Sequence, residues 1–187
     1  IGNSLPRGHN VDMNRRQALL AFAAMPIMAT GTRSGIPEPF KAFLISGGQE
    51  GGVWQAGILV ELEPEWKTYW RMSGDSGIPP QFDWAGSEYS AAIEVGFPAP
   101  RRFNDAGGET IGYHDQVVFP VFVNPKKLDA AVSLQLNMFF AVCKDVCIPA
   151  RAKAGAALNT SAANPLLIEW RKRLPRLAAA GEAPFII

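Results

Sequence analysis

Two cysteines, Cys143 and Cys147, are separated by three residues, and this spacing constrains the local fold more than any other feature of the chain. On a helix, residues four apart have Cβ atoms about 5–6 Å apart, whereas an unstrained disulfide needs about 3.8 Å. At the end of a strand, with residues 144–146 as a turn, the cysteines face each other with their Cβ atoms about 4.5 Å apart. The β-hairpin interpretation and the disulfide interpretation therefore support each other.

Strand-like segments alternate with turn signals along the middle of the chain. Runs rich in β-branched and aromatic residues predict strands at residues 53–62, 65–72, 82–84, 88–95, 117–123 and 131–142. Residues 36–52 are interpreted as a mixed segment that ends in a glycine turn, and residues 101–112 as a polar loop. Short strands at this spacing predict an all-β sandwich.

The C-terminal region of the sandwich is followed by a helical pattern. Asn164 is a favourable N-cap, and Pro165 suits the first helical turn. Four apolar residues then fall on one face of the predicted helix: Leu166, Leu167, Trp170 and Leu174. We therefore expect a sandwich domain at residues 36–160, followed by a short helix and linker at residues 161–187.

Residues 1–35 have the composition of a leader. Arg15 and Arg16 precede an apolar run at residues 18–29, an order typical of a secretory signal peptide, with a short buried helix as the alternative. No stretch of about eighteen apolar residues predicts a membrane-spanning helix. The 18 basic and 17 acidic residues leave a net charge near zero, which argues against a nucleic-acid partner. Export places both cysteines in an oxidising compartment.

Three hypotheses explain the cysteine pair. A disulfide that closes so small a loop contributes only about 2 kcal/mol to stability. Close spacing also keeps a resolving thiol beside the attacking one, which favours a redox-active dithiol. The other two hypotheses are a static structural disulfide and a soft-metal site, in which the cysteines bind Cu(I) with help from Met138 or His114. Lys144 stabilises a thiolate and Asp145 opposes it, so the spacing alone leaves the choice open.

Other conspicuous side chains have structural interpretations. Trp66, Tyr69 and Trp70 are interpreted as sandwich core, with a partner-docking surface as the alternative. Asp75 lies among glycines and prolines and is interpreted as a turn residue. His114 is interpreted as a surface histidine, with a proton-shuttling or metal role as the alternative.

Five motifs occur in a fixed order, and the series resembles a known family. They are WKTYWR at residues 66–71, GDSGIPP at 74–80, FPAP at 97–100, GYHD at 112–115 and VCKDVCIP at 142–149. Over residues 53–157 the chain is similar to the N-terminal domain of DsbD-like and ScsB-like proteins, the latter tied to copper tolerance. The DsbD domain itself separates its cysteines by five residues, so the three found here fit the ScsB-like branch better.

The resemblance implies an immunoglobulin-like β-sandwich in the periplasm, free or tethered to the inner membrane in the full-length protein. It implies a protein-disulfide reductase whose Cys143 and Cys147 form a redox-active disulfide, without a cofactor or metal. Electrons would arrive from a membrane domain of the DsbD/CcdA type and pass to thioredoxin-like periplasmic proteins. Cys147 would attack the incoming disulfide. A periplasmic Cu(I)-binding, copper-tolerance protein that uses the same cysteines is the alternative.

The family also shields its cysteines with a short loop, and residues 103–113 occupy the matching place. We therefore expect Phe103 or Tyr113 over the sulfur atoms, with Asp105 assisting thiol deprotonation. An ordinary solvated hairpin loop is the alternative. The membrane and thioredoxin-like domains of the family have no counterpart in these residues, which favours a fragment of a longer protein over a stand-alone chain.

Overall fold

Ten strands and one helix form the part of the chain that the computed structural model describes, residues 38–105, 108–127, 130–159 and 162–176. The strands are β1 (Phe40–Glu50), β2 (Val53–Leu62), β3 (Lys67–Gly74), β4 (Gln81–Asp83), β5 (Ser90–Val95), β6 (Arg101–Asp105), β7 (Gly108–His114), β8 (Gln116–Pro125), β9 (Val132–Cys143) and β10 (Cys147–Leu158). The helix is α1 (Pro165–Arg171). The predicted leader lies outside the described residues. Within them, no helix is both long enough and apolar enough to span a membrane.

The strands form two antiparallel sheets. One has the order β1-β2-β8-β5, and the other has the order β10-β9-β3-β7-β6, with the short β4 also paired to β9. Apolar side chains from both sheets belong to one buried cluster. This arrangement confirms the predicted all-β, immunoglobulin-like sandwich with a short C-terminal helix.

The main core is filled by alternate residues of the central strands. Between Val132 and Phe140 of β9, the buried positions are Val132, Leu134, Leu136, Met138 and Phe140, and the residues between them are more exposed. This period of two follows from the pleat, which sends successive side chains to opposite faces of a sheet. Each fully buried aliphatic or aromatic side chain stabilises the fold by about 1.5–3 kcal/mol.

The helix α1 covers the outer face of the first sheet, where it packs on β8 and β1. The Asn164 side chain accepts hydrogen bonds from the backbone N–H groups of Leu166 and Leu167, and Pro165 occupies the first turn, as predicted. Leu167 and Trp170 are buried. Because α1 lies on β8, that strand is buried on both faces over residues 117–121 and does not alternate.

Two segments of the sandwich differ from the sequence-based expectation. Residues 36–52 were expected to be mixed, but β1 pairs with β2 from Phe40 to Glu50, and a bulge absorbs the glycines. Residues 101–112 were expected to form a polar loop, but they contain most of the β6–β7 hairpin. This hairpin is polar because β6 is the edge strand and several of its side chains are exposed.

Candidate functional site

The two cysteines face each other across a tight hairpin. Cys143 is the last residue of β9 and Cys147 the first of β10, and they are direct partners in the ladder. The Lys144 backbone N–H donates a hydrogen bond of 3.2 Å to the Val146 carbonyl within the turn. The sulfur atoms form a disulfide, with 4.2 Å between the Cα atoms. The predicted hairpin geometry is thus confirmed.

The two sulfur-bearing residues differ in exposure. Cys143 is 1% exposed, whereas Cys147 is exposed to solvent. The difference follows from the topology, because β9 lies between β10 and β3, while β10 is the edge strand. Cys147 is therefore the more accessible of the two cysteines to a partner protein.

Tyr69 from β3 contacts both sulfur atoms. Its hydroxyl donates a hydrogen bond of 2.8 Å to Cys143 Sγ and lies 3.4 Å from Cys147 Sγ. The ring is buried in a small cluster with Ala141 and Cys143, against which Ile78 packs. The prediction that Tyr69 is buried is correct, but this cluster is separate from the main core, and its contact with the sulfurs was not foreseen.

The GDSGIPP segment covers the Tyr69 ring. Gly77 has a φ of 93°, and a Cβ atom there would lie 2.1 Å from Tyr69 Cζ. Beside it, the Ile78 carbonyl accepts a hydrogen bond of 3.1 Å from the Ala141 backbone N–H. The segment therefore holds the ring against the sulfurs, and glycine is required at the closest approach.

Asp75, in the same segment, joins it to the β6–β7 hairpin. Its backbone N–H donates to the Glu109 carbonyl at 2.9 Å, and its carboxylate accepts from the Glu109 backbone N–H at 2.9 Å. These two bonds agree with the interpretation of Asp75 as a turn residue. Its carboxylate therefore serves to fix the loop that covers Tyr69.

Lys67 is buried beside Cys143. The two residues are direct partners in the β3–β9 ladder, so both side chains leave the same face of the sheet. Lys67 is only 6% exposed, and its Nζ donates a hydrogen bond of 2.6 Å to Thr110 Oγ1. The Nζ also lies 5.7 Å from the ring centres of Tyr69 and Phe103.

A groove of about 500 Å³, here called the cysteine groove, runs between the β6–β7 hairpin and the cysteine turn. It is lined by Glu65, Lys67, Arg102, Phe103, Asn104, His114, Cys143, Lys144 and Asp145. Phe103 and His114 pack together with their ring centres 4.7 Å apart. Most of these residues are polar or charged, so the groove suits a peptide chain better than an apolar ligand.

Of the three residues expected in the covering loop, Phe103 lies in the cysteine groove and Tyr113 does not. Tyr113 is buried in the main core, 5.5 Å from the ring centre of Phe119, and its hydroxyl donates to the Pro98 carbonyl at 2.8 Å. This burial raises the pKa of Tyr113. The cause is the strand pleat, which sends Tyr113 inwards. The side chain of Asp105 lies outside the described part of the structure.

The exposed Lys144 side chain in the cysteine turn pairs with Glu65. Its Nζ donates a hydrogen bond to a carboxylate oxygen of Glu65. That hydrogen bond lowers the pKa of Glu65 and raises the pKa of Lys144. The charge of Lys144 is therefore paired with a surface carboxylate and does not act on the sulfur atoms alone.

The residues named for the copper hypothesis are divided between the two faces of the sheet that contains β7 and β9. Met138 lies five residues before Cys143, on the inner face, where it is 2% exposed. His114 borders the cysteine groove. Across the described ranges, no cluster of three or more His, Cys, Asp or Glu side chains is arranged to hold a metal ion. Cu(I) binding by the two cysteines stays a prediction.

Comparison with known proteins gives a matching family and similar solved structures. A family model described as "Thiol:disulfide interchange protein DsbD, N-terminal" matches residues 35–158. The crystal structure of the N-terminal periplasmic domain of ScsB from Proteus mirabilis is similar, with a TM-score of 0.55 and 28% sequence identity. The similarity covers 75% of this chain and 54% of the ScsB chain, so this chain spans about half of that domain. No curated protein sequence matches.

Proposed function

The chain belongs to the family of N-terminal domains of the thiol:disulfide interchange protein DsbD, and we propose that it is a periplasmic protein-disulfide reductase domain. In this proposal, the Cys143–Cys147 pair receives electrons from a membrane domain of the DsbD/CcdA type and passes them to thioredoxin-like periplasmic proteins. One observation carries the proposal: one cysteine of the pair is exposed, and the other is buried with its sulfur against a hydroxyl donor.

The asymmetry of the pair assigns a role to each sulfur during reduction of the domain. The thiolate of a donor attacks the exposed Cys147 Sγ, a donor–Cys147 disulfide forms, and the Cys143–Cys147 bond breaks. The bonding electron pair leaves on Cys143 Sγ, which the Tyr69 hydroxyl already contacts at 2.8 Å. A second donor thiolate then attacks the donor sulfur of the mixed disulfide and releases Cys147 as a thiolate. The donor ends as a disulfide, and the domain holds two more electrons.

The delivery of electrons runs the same chemistry in reverse. The Cys147 thiolate attacks a disulfide of the partner, and one partner sulfur leaves as a thiolate. The Cys143 thiolate then attacks Cys147 Sγ, which restores the internal disulfide and releases the second partner sulfur. The two partner thiolates each take up a proton, from the reduced pair or from water, and become thiols. The hairpin keeps Cys143 beside Cys147 throughout, so the second step is intramolecular and fast.

Phe103 is proposed as the covering residue of the groove. Its half-buried ring packs against His114 and lines the same groove as Cys143. It belongs to the edge strand β6, which has a strand neighbour on one side only. We expect an arriving partner to displace this ring, because the movement breaks few contacts and exposes the pair.

The proposal is tested with the two single-cysteine variants C143S and C147S. Each reduced variant is mixed with Ellman's reagent, an aromatic disulfide, and the released aromatic thiol is followed by absorbance. We expect the Cys147 thiol in C143S to react at least about tenfold faster than the Cys143 thiol in C147S, since attack requires access. Equal rates, or faster reaction of Cys143, would contradict the assigned roles.

A further inference from the structure

Two lysines lie near the cysteine pair, and the structure gives them different environments. Lys144 follows Cys143 in the sequence, but it is exposed and paired with Glu65. Lys67 is distant in the sequence, yet it is buried and lies directly opposite Cys143 in the sheet. The lysine that is distant in sequence is therefore the better placed to act on the buried sulfur.

Burial makes the charge of Lys67 more effective than that of a surface lysine. An ammonium group and a thiolate inside a protein attract each other several times more strongly than in water, because little solvent screens them. Directly opposed residues in an antiparallel ladder have Cβ atoms about 4.5–5.5 Å apart, which keeps the Lys67 chain alongside Cys143. The hydrogen bond to Thr110 fixes the ammonium within this cluster.

The oxidised and reduced forms of the pair present different charges to Lys67. The disulfide is neutral, whereas reduction leaves an electron pair on Cys143 Sγ as a thiolate. A buried cation favours the form that carries the negative charge. Lys67 therefore stabilises the reduced pair relative to the oxidised pair, and it favours the thiolate of Cys143 relative to the thiol.

We propose that Lys67 is the cation that stabilises the Cys143 thiolate and thereby sets the thiol pKa and the redox equilibrium of the pair. This inference rests on the proposed function, in which Cys143 is the leaving sulfur. The Tyr69 hydroxyl shares the task by donating to the same atom. The other charged or titratable side chains that line the groove are Glu65, Arg102, His114, Lys144 and Asp145.

The surrounding charges act less directly on the buried sulfur. Lys144 pairs with Glu65, and Arg102 pairs with Glu109 at 2.6 Å, and these side chains are between 36% and 73% exposed to solvent. Water screens exposed charges, so their effect on a buried thiolate is small. The same screening applies to Asp145, which lies in the exposed turn.

The test compares the full chain with K67M, which keeps most of the length of the side chain and removes its charge. The pKa of Cys143 is measured in a C147S background from the pH dependence of alkylation by iodoacetamide. The redox equilibrium of the intact pair is measured in glutathione buffers. We expect K67M to raise the Cys143 pKa by about one pH unit. At a pH above the Cys143 pKa of both proteins, where the reduced sulfur is a thiolate, we also expect the pair to become about tenfold harder to reduce, equivalent to about 30 mV.

Three companion variants keep the result interpretable. K144M, the matched control at the exposed lysine, is expected to change the equilibrium by less than about twofold. K67R keeps the charge and is expected to retain most of the wild-type behaviour. T110V leaves the charge in place but removes the hydroxyl that holds Nζ, so it should shift the equilibrium in the same direction as K67M by a smaller factor.

The inference is overturned if folded K67M has the same Cys143 pKa and the same equilibrium as the wild type. It is also overturned if K144M produces the larger shift, or, where K67M does not fold, if T110V leaves both quantities unchanged. Failure of the proposed function looks different, because it would show in the wild type as a pair that glutathione cannot reduce. The comparison between lysine variants uses no protein partner, so the two failures are distinguishable.

Discussion

The two faces of β9 show how one strand serves two purposes. Its inner face carries Leu134, Leu136 and Phe140 into a core made almost wholly of apolar side chains. Its outer face, at the end of the strand, carries Cys143 into a cluster where polar groups are buried and hydrogen-bonded. The inner face supplies stability through burial of apolar area. The outer face holds reactive atoms in fixed positions and contributes less to stability than the inner face.

The largest expected effect is the loss of disulfide exchange when either cysteine is replaced. C143S and C147S each remove the internal disulfide, so disulfide exchange through the pair should be lost completely. The loop is short, so the free energy of unfolding should fall by only about 2 kcal/mol relative to the oxidised wild type. Exchange is followed with glutathione, and stability by urea unfolding. Variants that fail to fold would instead indicate a structural disulfide.

The converse change is made on the inner face. F140A empties a buried site that Phe40 contacts at a ring-centre distance of 4.9 Å. We expect a loss of about 3–5 kcal/mol in the free energy of unfolding. The redox equilibrium of the molecules that remain folded should be unchanged. A shift in that equilibrium as large as the one caused by K67M would show that the two faces are coupled.

A change of intermediate size tests the segment that covers Tyr69. G77A introduces a Cβ atom against the Tyr69 ring at a residue with positive φ. G51A is the matched control, since Gly51 also has positive φ but has open space around it. The backbone strain should cost each variant about 1–2 kcal/mol, but only G77A should also slow disulfide exchange. Equal exchange rates in the two variants would remove the role assigned to the covering segment.

Removal of the Tyr69 hydroxyl is expected to have a smaller effect on stability. Y69F keeps the buried ring and loses the donor to Cys143 Sγ. The free energy of unfolding should change by about 0.5–1.5 kcal/mol, while the Cys143 pKa, measured in the C147S background, should rise. An unchanged Cys143 pKa would mean that the hydroxyl serves packing alone.

The smallest expected effect concerns the ring of Phe103. F103A should uncover the groove and speed the alkylation of Cys143, measured in the reduced C147S background, by about two- to fivefold, because access limits thiol reactivity. F43A is the control, since Phe43 is an exposed phenylalanine on β1, in the other sheet. If F103A has no more effect than F43A, the ring does not cover the pair.

The sequence predicted the features that depend on local order along the chain. The cysteine hairpin follows from a spacing that only opposed strands accommodate without strain. The N-cap at Asn164 and most of the central strands follow from short-range patterns in the same way. Each of these features is determined by residues that are neighbours in the sequence.

Features that depend on pairing between distant segments were not predicted. The contact of Tyr69 with Cys143 and the position of Lys67 both require the β3–β9 ladder, which joins residues more than seventy positions apart. The prediction for Tyr113 failed for a related reason, since a residue in a presumed loop has no assigned face. Once β7 is known to be a strand, its alternation sends Tyr113 into the core.

The equilibrium reduction potential of the Cys143–Cys147 pair tests the central claim most directly. It is obtained by equilibrating the full chain in redox buffers, trapping the free thiols by alkylation and weighing the products by mass spectrometry. If the outer face of β9 is built for exchange, the potential should lie between about −180 and −270 mV. A potential well below about −300 mV would identify a structural disulfide and contradict the account.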